Sequence, residues 1–357
     1  MPRLPNPEIV ARMRDELLEW YDCNKRDLPW RHTDDPYAIW VSEIMLQQTR
    51  VAVVIERFKT FLERFPTVGA LAAGDEQDVL AQWSGLGYYR RARMLHKAAK
   101  TIVAEYAGKL PAKAEELRKL SGIGSYTAAA IASIAHGEPV AVVDGNVERV
   151  LSRIRGWDSH DAVGEAAVRR KVEEFSAALV DTRRAGDFNQ AIMELGATVC
   201  MPRNPQCLVC PWKTECRTLG EHKTPKRAPM RRCEIACALV MREVDAHTEV
   251  LLEQRAGSNT VMPGMWELPS LLGDSTNEDD LRFTVRHAIM QVNYVVRVCE
   301  FREEDVARLK LDGGERRWVS LGQAAEMALT GLARKVLRKV QPGSAMKSTS
   351  IQPRSSL

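Results

Sequence analysis

The sequence predicts two domains of different class, an all-α domain followed by a smaller α/β domain. Apolar residues recur at helical spacing through most of the first 200 residues, and apolar segments typical of strands begin near residue 235. A basic, proline-containing segment separates the two patterns. We therefore place the helical domain at residues 8–220, a linker at 221–232, the α/β domain at 233–342 and a Ser-rich disordered tail at 343–357.

The composition is typical of a globular protein. The 357 residues are 45% apolar and 27% charged, which is enough for two hydrophobic cores. No stretch approaches the roughly eighteen uninterrupted apolar residues of a membrane span, and MPRLPNPEIV at the N-terminus lacks the apolar core of a signal peptide. We therefore expect an intracellular, cytoplasmic protein with no membrane partner, in which the cysteines do not form disulfides.

Helical periodicity accounts for most of the first domain. The predicted helices are 9–21, 37–65, 79–83, 91–106, 111–119, 146–154, 164–179 and 187–199. No acidic residue occurs between Asp78 and Glu105, and this interval contains the basic residues Arg90, Arg91, Arg93, Lys97 and Lys100. Such a stripe suits a polyanion, although charge runs more often form an ordinary solvated face.

Two glycines, Gly122 and Gly124, lie between a short predicted helix and an Ala-rich helical run, 128–135. Glycines at a helix start let backbone amides approach an anion, and the helix N-terminus adds positive potential. The segment is therefore either a phosphate-binding helical hairpin or an ordinary hairpin with a Gly turn. These residues alone favour neither alternative.

Glu43 is the unusual residue of the predicted helix 37–65. It lies three residues beyond Trp40 and next to Ile44, on or beside the buried face. The simplest interpretation is a boundary residue that points to water. Asp144 directly precedes the predicted helix 146–154, where an Asp needs no role beyond the N-cap.

The segment Gly85-Leu86-Gly87-Tyr88 interrupts the helical pattern. Its glycines permit a tight turn, which would display Leu86 and Tyr88 as apolar wedges of the kind that enter a base stack. The commoner alternative is that both side chains fill the core at a helix junction.

Four cysteines follow the last helix of the first domain, with the spacing C-x6-C-x2-C-x5-C. They are Cys200, Cys207, Cys210 and Cys216. Such a set in a reducing compartment predicts a metal site, either tetrahedral zinc or an iron–sulfur cluster. Only one C-x2-C pair is present, where zinc sites usually have two, and this favours a [4Fe-4S] cluster.

In the second domain, apolar patterns predict strands over 235–244, 249–252 and 294–298. GMWELP, 264–269, predicts a compact turn, and helices are predicted over 324–328 and 332–340. This mixture predicts a separate α/β fold.

From about residue 20 to about residue 340, the chain resembles MutY-type adenine DNA glycosylases. The motifs that carry the resemblance are LPWR (28–31), PYAIWVSEIMLQQTRV (36–51), GLGYYRRARML (85–95), LSGIGSYTAAAI (120–131), VVDGNVERVLSR (142–153), FNQAIMELGA (188–197) and the four-cysteine loop. The resemblance implies an all-α helix-hairpin-helix glycosylase domain with a [4Fe-4S] cluster loop, followed by a Nudix-like recognition domain. It also implies a monomer that acts on double-stranded DNA containing adenine opposite 8-oxoguanine or guanine.

The resemblance assigns the chemistry to two carboxyl groups. Glu43 would protonate N7 of the extruded adenine, and Asp144 would stabilise the oxocarbenium ion that forms on the sugar. Tyr126 and Asn146 would support these two groups.

Further residues are implied to contact DNA. Gly122 and Gly124 would hold backbone phosphate. The residues expected at the opened base pair are Gln47, Gln48, Thr49, Leu86 and Tyr88. Those expected to line the adenine pocket are Leu28, Trp30, Arg31 and Gln190.

Two alternatives remain at this stage. An endonuclease III-like glycosylase and abasic-site lyase would carry Lys in the helix-hairpin-helix, where this chain has Tyr126, so covalent trapping with borohydride distinguishes that class. A non-enzymatic DNA-binding scaffold would need neither Glu43 nor Asp144, and it would release no adenine from any mispair.

The second domain departs from the family. No REx₂E-type acidic helix for Mg²⁺ is present, so we expect a recognition module rather than a pyrophosphatase. The family recognises 8-oxoguanine through Phe-Ser-His shortly after a His, and if His287 sets the register, this chain has Ile289, Met290 and Gln291 there. Gln291 keeps a group that can hydrogen-bond a base edge.

Overall fold

The structure is a computed structural model that describes residues 6–157, 164–222, 229–245, 247–272, 278–311 and 314–340. It divides into two compact units, Met1–Lys226 and Arg227–Leu357. The division falls inside the predicted linker 221–232. Part of that linker, 223–228, and the predicted disordered tail, 343–357, lie outside the described residues.

The first unit is helical throughout its described part, as the sequence predicts. Its α-helices are α1 (Pro7–Asn24), α2 (Pro36–Leu46), α3 (Val51–Arg64), α4 (Val68–Ala73), α5 (Glu76–Gln82), α6 (Arg90–Glu105), α7 (Ala114–Leu117), α8 (Ser125–His136), α9 (Gly145–Arg155), α10 (Glu165–Leu179) and α11 (Ala185–Thr198). None of the helices in the described ranges is long and apolar enough to cross a membrane.

The prediction of one continuous helix over 37–65 is wrong. Helix α2 ends at Leu46, α3 begins at Val51, and Gln48 between them has a φ of 55°, in the left-handed region. The apolar spacing continues across the break because α2 is buried almost throughout and α3 buries one face. At this break, the side chain of Arg91, from a distant segment, binds the carbonyl oxygens of Met45 and Gln47. A local pattern does not reveal such a contact.

One hydrophobic cluster of the first unit joins α1, α9, α10 and α11. Trp212, from the four-cysteine loop, is fully buried in this cluster, and its indole nitrogen donates to the carbonyl oxygen of Met13 in α1 at 2.7 Å. This contact fixes the four-cysteine loop against α1. The cysteines therefore lie beside the helical cluster rather than on a free extension of the chain.

The predicted basic stripe is divided by the packing of α6. Arg90, Lys97 and Lys100 are exposed, as a solvated or polyanion-binding face requires. Arg91 instead turns into the protein, and Arg93 pairs with Glu76 at 2.8 Å. The stripe therefore offers fewer free cations than the sequence suggests.

The second unit contains a six-stranded sheet, which confirms the α/β prediction. Its elements are β1 (Arg231–Val244), β2 (His247–Gln254), β3 (Trp266–Glu267), β4 (Leu281–Ile289), β5 (Val292–Phe301), β6 (Glu315–Ser320), α12 (Leu321–Glu326) and α13 (Gly331–Val340). The strand order is β3-β2-β1-β5-β4, with β6 also paired to β2. Strands β1 and β5 are parallel, and the other pairs are antiparallel.

Each face of this sheet has its own core. Val285, Val296 and Val336 belong to the cluster that includes α12 and α13, whereas Val240 and Cys299 belong to a cluster on the other face. Strands β4 and β6 were not predicted, because their exposed arginines interrupt the apolar alternation. The predicted turn 264–269 contains β3, whose two residues pair with the end of β2.

Candidate active site

Glu43 lies near the C-terminus of α2 and is buried, with 5% of its surface exposed. The interpretation of a boundary residue that points to water is therefore wrong. The pKa of its carboxyl is raised to about 7, chiefly by burial; a hydrogen bond from Tyr126 and the charge of Arg31 lower this pKa, and the charge of Asp144 raises it. A carboxyl with a pKa near neutrality keeps a proton that it can donate.

Tyr126 connects the glycine hairpin to this carboxyl. It lies in the first turn of α8, and its hydroxyl donates to Oε2 of Glu43 at 2.7 Å. Burial and the neighbouring carboxylates raise the pKa of Tyr126 well above its usual value, so the hydroxyl keeps its proton and acts as a donor. The hairpin thereby fixes the rotamer of Glu43 from outside its own helix.

The two glycines of the hairpin occupy different structural environments. Gly122 has a φ of 77°, and a Cβ there would lie 2.6 Å from Cβ of Met94 in α6, so only glycine fits. Gly124 is the N-cap residue of α8, and a Cβ there would meet no atom within 4 Å. The amides that begin α8 are therefore open to a ligand such as phosphate.

Asp144 is the N-cap residue of α9, as its position in the sequence suggests. Its Oδ1 accepts from the backbone nitrogens of Asn146 and Val147 at 2.9 and 2.8 Å, and its Oδ2 accepts from the Asn146 side chain at 2.9 Å. Three donors hold this carboxylate in one orientation. Because its charge acts on Glu43, the two carboxyl groups belong to one site.

Arg149, which the sequence analysis did not select, links this site to the four-cysteine loop. Its guanidinium donates to Oδ1 of Asn146 at 2.9 Å, to the carbonyl of Gly196 at 2.8 Å and to the carbonyl of Cys200 at 2.9 Å. Its position one turn beyond Asn146 on a helix is a usable sequence signal. A continuous chain of hydrogen bonds therefore runs from Asp144 to the loop.

Glu194 is a second residue that the sequence analysis missed. It is fully buried in α11, and its carboxylate receives two hydrogen bonds from the side chain of Arg26, at 2.6 and 2.8 Å, and one from Arg31 at 2.8 Å. Although burial raises the pKa of Glu194, these hydrogen bonds lower it to about 2. The ion cluster holds Arg31 within reach of Glu43, on whose pKa its charge acts.

The other residues predicted for the adenine pocket are distributed around this cluster. Leu28 and Trp30 are buried, and the Trp30 ring packs edge-on against Phe58 with centroids 5.7 Å apart. Gln190 is half-buried on α11, one helical turn before Glu194. Leu28 and Trp30 therefore form part of the core of this region, in addition to their predicted role in the adenine pocket.

The residues predicted to lie at the opened base pair occupy two adjoining turns, 47–49 and 85–88. The Gln47 side chain donates to the Thr127 hydroxyl of α8 at 3.1 Å, and the Thr49 hydroxyl donates to the Leu86 carbonyl at 3.2 Å. Gln48 is exposed. The Thr49 hydroxyl therefore joins the two turns.

Leu86 and Tyr88 do not share one environment. Tyr88 has 54% of its surface exposed, as a wedge requires, whereas Leu86 has only 4% exposed. Of the two alternatives that the sequence left open, core filling is correct for Leu86 and display is correct for Tyr88.

In the second unit, Met290 is 74% exposed at the tip of the β4–β5 hairpin. It is one of the three residues expected where the family has Phe-Ser-His.

All four predicted metal ligands are half-buried free cysteines, and they line one cavity. Burial raises the pKa of Cys200, and the charge and hydrogen bond of Arg153, whose guanidinium lies 3.4 Å from that sulfur, lower it. Across the described part of the chain, no three His, Cys, Asp or Glu side chains converge closely enough to hold a single metal ion. The cysteines share a cavity without forming a compact single-ion site.

Residues 41–176 match the family described as "HhH-GPD superfamily base excision DNA repair protein". The chain is similar to the adenine DNA glycosylase of Homo sapiens, with 37% identity over 325 residues, 75% of this chain and 59% of the relative. It is also similar to the adenine DNA glycosylase of Mycolicibacterium smegmatis, with 45% identity over 197 residues, 55% of this chain and 66% of the relative. The chain thus spans between 42% and 66% of the length of the curated relatives that it matches.

Solved structures give the same result for the fold. The chain is similar to a thermostable thymine-DNA glycosylase with a TM-score of 0.55 and 27% identity, over 59% of this chain and 97% of that one. It is similar in fold to an endonuclease III solved in a non-covalent complex with DNA, with a TM-score of 0.51 and 24% identity, over 60% of this chain and 96% of that one.

Proposed function

We propose that the chain is an adenine DNA glycosylase, and the match of residues 41–176 to the HhH-GPD superfamily of base excision DNA repair proteins supports this assignment. It hydrolyses the N-glycosidic bond of adenine that is mispaired with 8-oxoguanine or guanine in double-stranded DNA, and it acts as a monomer. The observation that carries the proposal is the pairing of a buried carboxyl, Glu43, with a capped carboxylate, Asp144, behind a glycine hairpin. The names of the curated relatives supply the choice of adenine.

Adenine is inaccessible inside a duplex, so the reaction begins with extrusion of its nucleotide, at a cost of a few kcal/mol. The open amides at the start of α8 receive a backbone phosphate, which holds the strand without recognising sequence. Tyr88 enters the gap in the stack, and Gln48 and Thr49 face the partner base.

Bond cleavage then needs a proton for adenine and a negative charge for the sugar. Glu43 donates its proton to N7, so that adenine leaves as a neutral base, and Tyr126 holds the acid in place. Asp144, oriented by Asn146 and Val147, stabilises the oxocarbenium ion, which water then captures. Arg31, fixed by Glu194, lies on the base side of the acid.

The direct test is release of adenine from three duplexes, with adenine opposite 8-oxoguanine, guanine or thymine. We expect single-turnover release from the first two and none from the third. Release of thymine from a T:G mispair, or of no base from any duplex, would contradict the proposal. The ratio of the first two rates measures the lesion preference.

The lyase alternative finds no support at the hairpin. That chemistry needs an amine as nucleophile, and the residue at this position is Tyr126, whose hydroxyl is already bound to Glu43. We therefore propose a monofunctional hydrolase, which leaves an abasic site without strand cleavage.

The residues of the cysteine cavity fit a [4Fe-4S] cluster better than one zinc ion. Their four thiols line a common cavity, and their spacing contains only one C-x2-C pair, where structural zinc sites usually have two. Cys200, Cys207, Cys210 and Cys216 would hold the cluster, which when bound would supply a rigid cross-link within the loop that follows α11. Hydrolysis of an N-glycosidic bond transfers no electron, so the role is structural.

The assignment of the cluster can be tested without an activity assay. We expect the purified protein to contain about four iron atoms and four acid-labile sulfides per chain, and Cys210→Ser to lower both contents and the unfolding temperature. Cys237→Ser, a buried cysteine of the second unit, serves as the matched control. Zinc in place of iron, or full iron retention in the Cys210 variant, would contradict the assignment.

The pKa of Glu43 gives a pH prediction. Because the acid must be protonated, the rate of adenine release should fall about tenfold per pH unit above pH 7. The Tyr126 hydrogen bond lowers the pKa of Glu43, so Tyr126→Phe should raise it and move the alkaline limb to higher pH. The measurement is the single-turnover rate between pH 5.5 and 9.

Tyr37→Phe is the control for this experiment. Tyr37 is a buried tyrosine of α2, the helix that carries Glu43. Its hydroxyl donates to the Phe65 carbonyl rather than to Glu43. It should leave the limb in place. An alkaline limb that does not move in Tyr126→Phe would mean that another group supplies the proton.

A further inference from the structure

Arg91, in the first turn of α6, makes an unusual number of hydrogen bonds for one side chain. Its Nη1 donates to the carbonyl oxygens of Ile44, Met45 and Gln47 at 2.6, 3.0 and 2.5 Å. Its Nη2 donates to the Thr49 hydroxyl and to the carbonyls of Leu86 and Gly87, at 3.1, 3.1 and 3.0 Å. Five of the six acceptors are backbone carbonyls, so the contact fixes the course of the chain rather than other side chains.

Four of those acceptors, on Gln47, Thr49, Leu86 and Gly87, belong to the two turns at the proposed mispair. Gln48 and Tyr88 have φ values of 55° and 47°, a left-handed conformation that is unfavourable for residues other than glycine. Each of them directly follows a carbonyl that Arg91 binds, that of Gln47 and that of Gly87. The guanidinium therefore sits where it can hold both strained residues in place.

The same guanidinium also closes the end of the helix that carries the acid. The last carbonyls of α2 have no partner within the helix, and Arg91 binds those of Ile44 and Met45, which directly follow Glu43. A cation at a helix C-terminus is favoured by the helix dipole as well. The acid and the two turns are thus joined through one group.

The shape of the guanidinium matters as much as its charge. The guanidinium lies over the rings of Trp83 and Tyr88, 5.4 and 5.7 Å from their centroids, and its two terminal nitrogens bind different sets of acceptors. A lysine ammonium is a single point with three donors, and it cannot reach both sets of acceptors.

We propose that Arg91 is a positioning residue that sets the backbone of Gln48 and Tyr88 at the mispair and, through α2, the place of Glu43. The inference rests on the proposed glycosylase function and deepens it. Arg91 touches neither base nor sugar; it makes extrusion of the adenine and alignment of the acid depend on one another.

The experiment compares Arg91→Lys with Arg64→Lys, a matched substitution at a surface ion pair of Arg64 with Asp78 on the same unit. Adenine release from A opposite 8-oxoguanine is measured at single turnover, and extrusion is measured by the fluorescence of 2-aminopurine in place of adenine. We expect Arg91→Lys to slow release by about 10- to 100-fold and to suppress the fluorescence rise. Its affinity for a fully matched duplex, set by phosphate contacts elsewhere, should change by less than about threefold.

A merely structural role would give a different pattern. It would lower the folded fraction and reduce matched-duplex affinity, extrusion and release in proportion, and that result would overturn the inference. Unchanged extrusion and release in Arg91→Lys, with an active wild type, would overturn it as well and leave the proposed function intact. An inactive wild type would instead remove the proposed function on which the inference depends.

If Arg91→Lys does not fold, a milder variant can be used to test the proposal. Thr49→Val removes one acceptor of Arg91, together with the hydrogen bond that the Thr49 hydroxyl donates to the Leu86 carbonyl, and nearly preserves side-chain volume. It should reduce extrusion in the same direction by a smaller factor, and unchanged extrusion in a folded Thr49→Val protein would contradict the proposal. Where both variants fold, their combined effect should be less than the product of the separate ones, since they act on one network.

Discussion

Glu43→Gln is expected to slow single-turnover release of adenine by about 10²- to 10⁴-fold while binding of the mispaired duplex persists. Glutamine has nearly the same shape, and its amide oxygen can still accept the hydrogen bond that Tyr126 donates to Glu43. What the variant lacks is a proton that can be transferred to N7 of adenine. The loss therefore measures the acid itself rather than the packing of α2.

A second consequence of the same substitution concerns stability. In the folded protein the pKa of Glu43 is raised from 4.5 to about 7, mainly by burial. Between these values the unfolded chain releases a proton that the folded chain retains, so the free energy of unfolding falls as pH rises, by on the order of 3 kcal/mol. Glu43→Gln should remove this decline, which thermal unfolding at pH 4.5 and pH 8 would detect.

The matched control is Glu56→Gln, at an exposed residue of α3. It should leave the release rate within about twofold and the pH dependence of stability unchanged. Substantial adenine release by Glu43→Gln, with Glu56→Gln at the wild-type rate, would show that the base is protonated by some other group or by water.

Asp144→Asn is expected to slow release by about 10²- to 10³-fold, the range found when one stabilising group at a developing charge is removed. Asparagine is as good an N-cap as aspartate, and its Oδ1 can keep the bonds from the backbone nitrogens of Asn146 and Val147. Helix α9 should therefore persist. The substitution removes the negative charge that faces the sugar, and single-turnover kinetics with mispair affinity measured in parallel would separate chemistry from binding.

The chain offers a close control for this change. Asp75 caps α5 in the same manner, accepting from the backbone nitrogen of Gln77 at 2.7 Å. Asp75→Asn should alter neither release nor mispair affinity, and both Asp→Asn variants should unfold within a few degrees of the wild type. Equal, small effects of the two substitutions would mean that Asp144 is only a helix cap.

The sequence by itself determined the features whose causes are local. Amphipathic spacing gave the helices of the first unit, since burial of one face repeats every three to four residues. Asp144 precedes α9 as a cap because its side chain bonds amides two and three residues ahead. Gly122 marks a turn because of a backbone φ of 77° that other residues avoid. The cysteine spacing predicted the common cavity, and long motifs predicted the family.

Only the tertiary structure decided features whose partners are distant in the chain. Glu43 looked like a boundary residue, and its burial and raised pKa depend on packing against residues such as Tyr126, 83 positions away. The break between α2 and α3 depends on Arg91, and the buried charge of Glu194 on Arg26, 168 positions away. Leu86 and Tyr88, two residues apart, differ in exposure because the turn directs them to opposite sides. Spacing along the chain encodes which face of an element is apolar, but the group that satisfies a buried charge or carbonyl comes from wherever the fold brings one.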